Sequence, residues 1–85
     1  MALTRGVLLE VKATGYAKWV DKKLNFLEIF EGRHKLLAQA QRQFKVAHGT
    51  PIRWIVAEEK FAGALRKMFE GAQLPIEVVH VPPTP

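Results

Sequence analysis

Cysteine is absent from this 85-residue chain, which rules out a disulfide framework and any thiolate zinc site. Long apolar runs are absent too. None approaches the roughly 20 residues that cross a bilayer, and the N-terminus lacks a signal peptide's continuous apolar region, so the expectation is a soluble chain with no membrane partner. The histidines, His34, His48 and His80, have no metal-ligand spacing. No nucleophile motif, glycine-rich phosphate loop or Walker sequence occurs, and no internal repeat, low-complexity segment or interdomain linker interrupts the chain. What remains is one small domain with a core that is only marginally stable alone. Acid is the scarcer charge, with 8 acidic residues against 13 basic ones. The resulting net charge of +5 suits a polyanionic partner such as nucleic acid without demanding one.

Against that background, Val7 to Thr14 stands out. Val7, Leu8, Leu9 and Val11 form a short apolar run between Gly6 and Gly15, the pattern of a buried strand. Glu10 and Lys12 are set into it two residues apart, so strand alternation points both to one face. Such charges are costly on a buried strand unless they pair, meet water in a cleft or hold a metal. Met1 to Arg5 carries little information. A chemical feature so near the start suggests a chain that begins inside a larger domain.

Further along, Tyr16, Trp19, Val20, Leu24, Leu27 and Phe30 recur at helical intervals and predict a helix over residues 16–31, ended by Gly32. A second helix is predicted over His34–His48, its apolar arc built from Leu36, Leu37, Ala40, Phe44 and Ala47. Gln39 and Gln43 lie one turn apart beside that arc, and Arg42 and Lys45 lie further round. Gly49 and Thr50-Pro51 stop the helix. Ile52–Ala57 reads as a strand buried on both faces, Glu58–Glu70 as a helix with Phe61, Leu65, Met68 and Phe69 inward, and Ile76–Val81 as a last strand closed by Pro82-Pro83. Trp19 and Trp54 read as packing residues whose indole N–H needs a partner. The order predicts an α/β fold with a small, mostly parallel sheet and right-handed crossover helices. A single domain over 1–81 and a disordered Pro-rich tail over 82–85 follow.

Leu9-Glu10-Val11-Lys12, Gly15-Tyr16, the helix segment Gln39-Ala40-Gln41-Arg42-Gln43 and Gly49-Thr50-Pro51-Ile52-Arg53-Trp54 together resemble the C-terminal part of the restriction-endonuclease-like superfamily. The likeness is greatest to its fifth toxin family, found in bacterial polymorphic toxins and type VI secretion effectors. It implies a magnesium-dependent nuclease, favouring DNA, secreted to act in the cytoplasm of a competitor cell and blocked in its producer by a cognate immunity protein. By position, Glu10 and the Val11 carbonyl would bind Mg2+, Lys12 would hold or polarise the attacking water, and Gln39 and Gln43 would orient the metal site or contact the scissile strand. Arg42, Lys45 and Arg53 are candidates for contacts to the nucleic-acid backbone. The superfamily's further acid on an upstream strand has no counterpart here. Asp21, on the predicted first helix, is a poor replacement. The expectation is therefore a domain missing its upstream strands, these being absent or supplied by a missing N-terminal segment or another copy of the chain. A catalytically silent module binding an immunity protein or effector subunit, and a nucleic-acid binder that does not cut, are the rival readings.

Overall fold

A computed structural model describes residues 1–83; Thr84 and Pro85 of the predicted tail lie outside the described residues. Four strands form one sheet in the order β1-β2-β3-β4: β1 is Ala2–Thr4, β2 Val7–Lys12, β3 Ile52–Val56 and β4 Ile76–His80. Between the parallel strands run two helices, α1 (Gly32–Ala47) and α2 (Glu59–Gly71). Because the order advances in one direction, crossovers of a single hand place both helices on the same face. The fold is α/β. Its sheet is mixed, with β2–β3 and β3–β4 parallel and β1–β2 antiparallel.

The first strand corrects the reading of Met1–Arg5 as uninformative. Arg5 and Gly6, at φ +51° and +79°, make the two-residue turn with both central residues left-handed that matches the twist of a hairpin, and β1 folds back on β2. Three residues are too few to show a period, so alternation could not reveal this strand.

The predicted helix over 16–31 does not form. Its apolar spacing is real, but only a single 3₁₀ turn, Ala17–Trp19, is helical. Asp21 explains the failure: its Oδ1 accepts the N–H groups of Lys23 (2.8 Å) and Asn25 (2.9 Å), donors that a helix would have spent on carbonyls. Leu24 then takes a left-handed φ of +63° and its side chain packs over the bare Cα of Gly63 on α2. The aromatic residues of this segment still pack, partly buried, Tyr16 stacking on Phe61 and Phe30 on Trp19. Gly32, predicted to stop a helix, begins α1 instead, and Arg33 ties the two together by donating through Nη1 to the carbonyls of Leu27 and Phe30.

The core lies between the helices and one sheet face. Ile52, Trp54 and Val56 of β3 and Ile76 and Val78 of β4 meet Leu36, Ala40 and Ala47 of α1 and Phe61, Ala62, Leu65 and Phe69 of α2. The strands are thus covered on one face, not two. On the other, Val11 is 67% exposed, and Arg53 pairs with Glu77 across β3 and β4. Met68, expected inward on α2, is only partly buried. On α1 the buried set is Leu36, Ala40, Gln43 and Ala47, while Phe44, predicted for the apolar arc, is 44% exposed. The docked face is turned toward the glutamines, for a reason found at the site itself.

Candidate active site

Register decides which way Glu10 and Lys12 point. On the parallel ladder Leu8 is opposite Ile52, Glu10 opposite Trp54 and Lys12 opposite Val56, and each β3 partner is buried in the core. Both charges therefore face the helix layer, at its margin on the β2 side. Their side chains are 17% and 14% exposed, and Lys12 Nζ stands 3.8 Å from Glu10 Oε2.

Helix α1 meets them with Gln39 and Gln43. Lys12 Nζ donates to Gln39 Oε1 at 2.8 Å, and the indole Nε1 of Trp54 donates to Gln43 Oε1 at 2.9 Å. Each amide is thereby oriented: its oxygen is held by a group that can only donate, so its nitrogen turns to an acceptor. Both nitrogens converge on Glu10 Oε1, from Gln39 at 3.2 Å and from Gln43 at 2.8 Å. Two donor-only groups, two amide relays and one acceptor-only carboxylate give the network one consistent direction. This is why Gln43 is tolerated at 8% exposure, and why α1 docks with Gln43 inward and Phe44 outward. Among the described residues, no buried side-chain nitrogen or oxygen is left without a hydrogen-bond partner.

Beside Lys12 and Gln39 a cleft of about 240 Å³ opens, walled by Tyr16, Phe30 and Leu36 with Lys35 at its mouth. Glu58, where the chain enters α2, holds the Tyr16 wall by accepting the N–H groups of Tyr16 (2.8 Å) and Ala17 (3.1 Å) on one oxygen.

The other predicted residues lie elsewhere. Arg42 and Lys45 are exposed on α1, and Arg53, engaged with Glu77, is on the opposite face of the sheet from Glu10. Trp54 and Glu58 were not foreseen as parts of the site. For Trp54 the signal was an indole N–H in need of a partner, without the partner's identity, and for Glu58 there was none, since the partners lie 11 residues away or, for Glu58, 41 and 42 residues away.

A model of the family described as restriction endonuclease fold toxin 5 matches residues 2–59, a span that includes β1 to β3, the whole glutamine network and Glu58. The chain belongs to the restriction endonuclease fold toxin 5 family. No curated protein and no solved structure matches it. The toxin family suggests a nuclease toxin, an effector delivered to target cells, with a nucleic-acid substrate and a divalent metal cofactor. Among the described residues no helix is long and apolar enough to cross a membrane.

The donors that this toxin domain offers such a metal are few, and all are hard oxygens. No three or more His, Cys, Asp or Glu residues converge among the described residues. Glu10 keeps Oε2, which no amide engages. Leu8 N–H donates to Pro51 and Ala57 N–H to Lys12 across the parallel ladder, so alternation turns the Val11 carbonyl to the other side of β2. There β1 ends at Ala2, opposite Leu9, leaving that carbonyl beyond the last strand pair. The same register, continued by one residue, brings Met1 opposite Glu10, so no acid stands across from it. One carboxylate and a carbonyl fit magnesium by donor type, since it keeps several waters and takes phosphate oxygens from its substrate.

Proposed function

We propose that residues 1–81 form a metal-dependent nuclease toxin domain that hydrolyses phosphodiester bonds, DNA by preference, in the cytoplasm of a target bacterium. The observation that carries this reading is the Glu10–Lys12 pair held at 3.8 Å beside a cleft, with Gln39 and Gln43 both committed to orienting the carboxylate. Glu10, with the carbonyl of Val11, would hold Mg2+, which when bound supplies a Lewis acid for the phosphate oxygens and for a water. Lys12 spends one N–H on Gln39 and has two left. With these it holds the attacking water and offsets the charge that grows on the phosphate as the water's oxygen bonds to phosphorus, its proton passing to solvent, and the sugar oxygen leaves and takes a proton from solvent. Gln39 and Gln43 are positioning residues: both amides engage Oε1 of Glu10, which leaves Oε2 turned to Lys12 and clear of amides for a metal. Arg42 and Lys45 are free to contact the nucleic-acid backbone. Delivery by type VI secretion and silencing by an immunity protein in the producer complete the proposal.

Plasmid DNA incubated with the chain and Mg2+ should be nicked and linearised. Glu10→Ala and Lys12→Ala, each folded by circular dichroism, should leave it supercoiled.

A second reading has its own support. Glu10 is the only acid in the network, and one of its oxygens already accepts two amides. A catalytically silent module that binds an immunity protein, an effector subunit, an upstream segment or another copy would keep such a network for fold specificity alone. Tight binding to a cognate partner with no cleavage under any divalent cation would select it.

A further inference from the structure

The cleft beside Lys12 is built for more than access to Glu10. Among the described residues, the polar side chains that line it are Lys12, Lys35, Gln39 and Tyr16, and none is acidic. Its apolar walls include two aromatic rings, each packed against a second ring. Tyr16 stacks on Phe61 at 4.3 Å with planes 7° apart, and Phe30 stacks on Trp19 at 5.2 Å with planes 10° apart. Rings supported in this way can serve as platforms, because no side-chain freedom is lost when something flat lies against them. At about 240 Å³ the space is smaller than the roughly 300–1,000 Å³ of pockets for drug-sized ligands. It has room for one planar base, and none for that base with its pairing partner.

We infer that this cleft is a subsite for a single unpaired nucleotide of a DNA strand, its base against Tyr16 and Phe30 and its phosphate between Lys12 and Lys35. The inference rests on the nuclease reading for the identity of the strand, and adds that the substrate is single-stranded or locally unstacked at the site. Lys35, outside the hydrogen-bond network, is assigned as a phosphate-binding residue. Phe30 is assigned as a stacking residue. Gly32 allows the arrangement: a Cβ there would clash with Phe30 Cε1, so any larger residue displaces the ring from its place in the wall.

The test is fluorescence anisotropy with the whole chain in EDTA, using a labelled oligothymidylate and a duplex of equal length. The single strand should bind at least tenfold more tightly than the duplex. Lys35→Ala, a change at an exposed position, should weaken single-strand binding threefold or more and reduce the slope of log K against log salt by about 0.7. Phe30→Ala or Gly32→Ala should weaken it about fivefold or more with no change in salt slope. Equal binding of the two forms, or a Lys35→Ala chain that binds the single strand as wild type does, overturns the subsite. Strand preference without plasmid cleavage under Mg2+ strikes the nuclease reading and spares the subsite; cleavage with equal binding of both forms does the reverse.

Discussion

The two halves of the helix-covered face share one sheet and one register yet are built on opposite principles. Across it run the rows Leu8–Ile52–Ile76, Glu10–Trp54–Val78 and Lys12–Val56–His80. Toward β4 and α2 the middle row ends in a dry core in which Trp54 meets Phe69 edge-on and Phe61 and Leu65 are fully buried. Toward β2 and α1 it becomes a chain of polar groups. Trp54 belongs to both halves, its ring in the core and its N–H in the network. The polar half is held in place by the apolar one: a carboxylate and an ammonium keep fixed directions because the groups that orient them are anchored in packed hydrocarbon.

The dry side carries the largest share of stability. Phe61→Ala removes a fully buried ring that touches Tyr16 and Phe26, and should cost about 3–5 kcal/mol. For a small domain that is a large share of total stability, and urea denaturation should show the folded state lost or nearly so. The polar side should show the reverse signature. Glu10→Ala or Lys12→Ala should lower plasmid cleavage by about a hundredfold or more, equivalent to roughly 2.7 kcal/mol, with a far smaller change in the denaturation midpoint. If both substitutions unfolded the chain as readily as the loss of Phe61, the division between halves would be wrong.

Trp54→Phe sharpens the boundary between them. It keeps most of the buried ring, removes the donor that orients Gln43 and leaves Gln43 Oε1 unsatisfied, for a loss of about 1–3 kcal/mol. Stability and cleavage should fall together, because this one residue serves both halves. The smallest effect belongs to the loop beside them. Hydrogen bonds from the N–H of Asn25, then that of Lys23, together with the nearby Lys67 and Lys23 charges, hold the Asp21 carboxyl below its ordinary pKa. A carboxyl depressed in the folded state contributes stability above its unfolded pKa and loses it as pH falls through the folded value. The thermal midpoint should therefore drop more steeply for wild type than for Asp21→Asn between about pH 5 and pH 2. Parallel curves would show that the turn draws nothing from this charge.

Much of this was legible in the residues, for local reasons. The second to fourth strands and both helices follow from apolar period and from glycine and proline punctuation, and the shared direction of Glu10 and Lys12 follows from alternation alone. The segment 16–31 shows where period misleads: its apolar spacing is helical, but a single aspartate competing for two N–H groups outweighs it. Phe44 and Gln43 show the same at higher resolution. A helical wheel favours burying the phenylalanine, and a buried indole N–H and a carboxylate 33 residues away from Gln43 reverse the choice.

By itself, then, the order of residues determined the repeating elements, the pairing of an acid with an amine on one strand face, and two amides one helical turn apart, since each depends only on neighbours along the chain. The folded arrangement alone decided that the sheet is covered on one face, that Met1–Arg5 is drawn into a hairpin and that Arg53 faces away from the site. It also decided that Trp54 and Glu58 belong there. These outcomes depend on which strand lies beside which and on how far a helix rotates before it docks. Contacts between residues tens of positions apart set both, and no short window of sequence contains them.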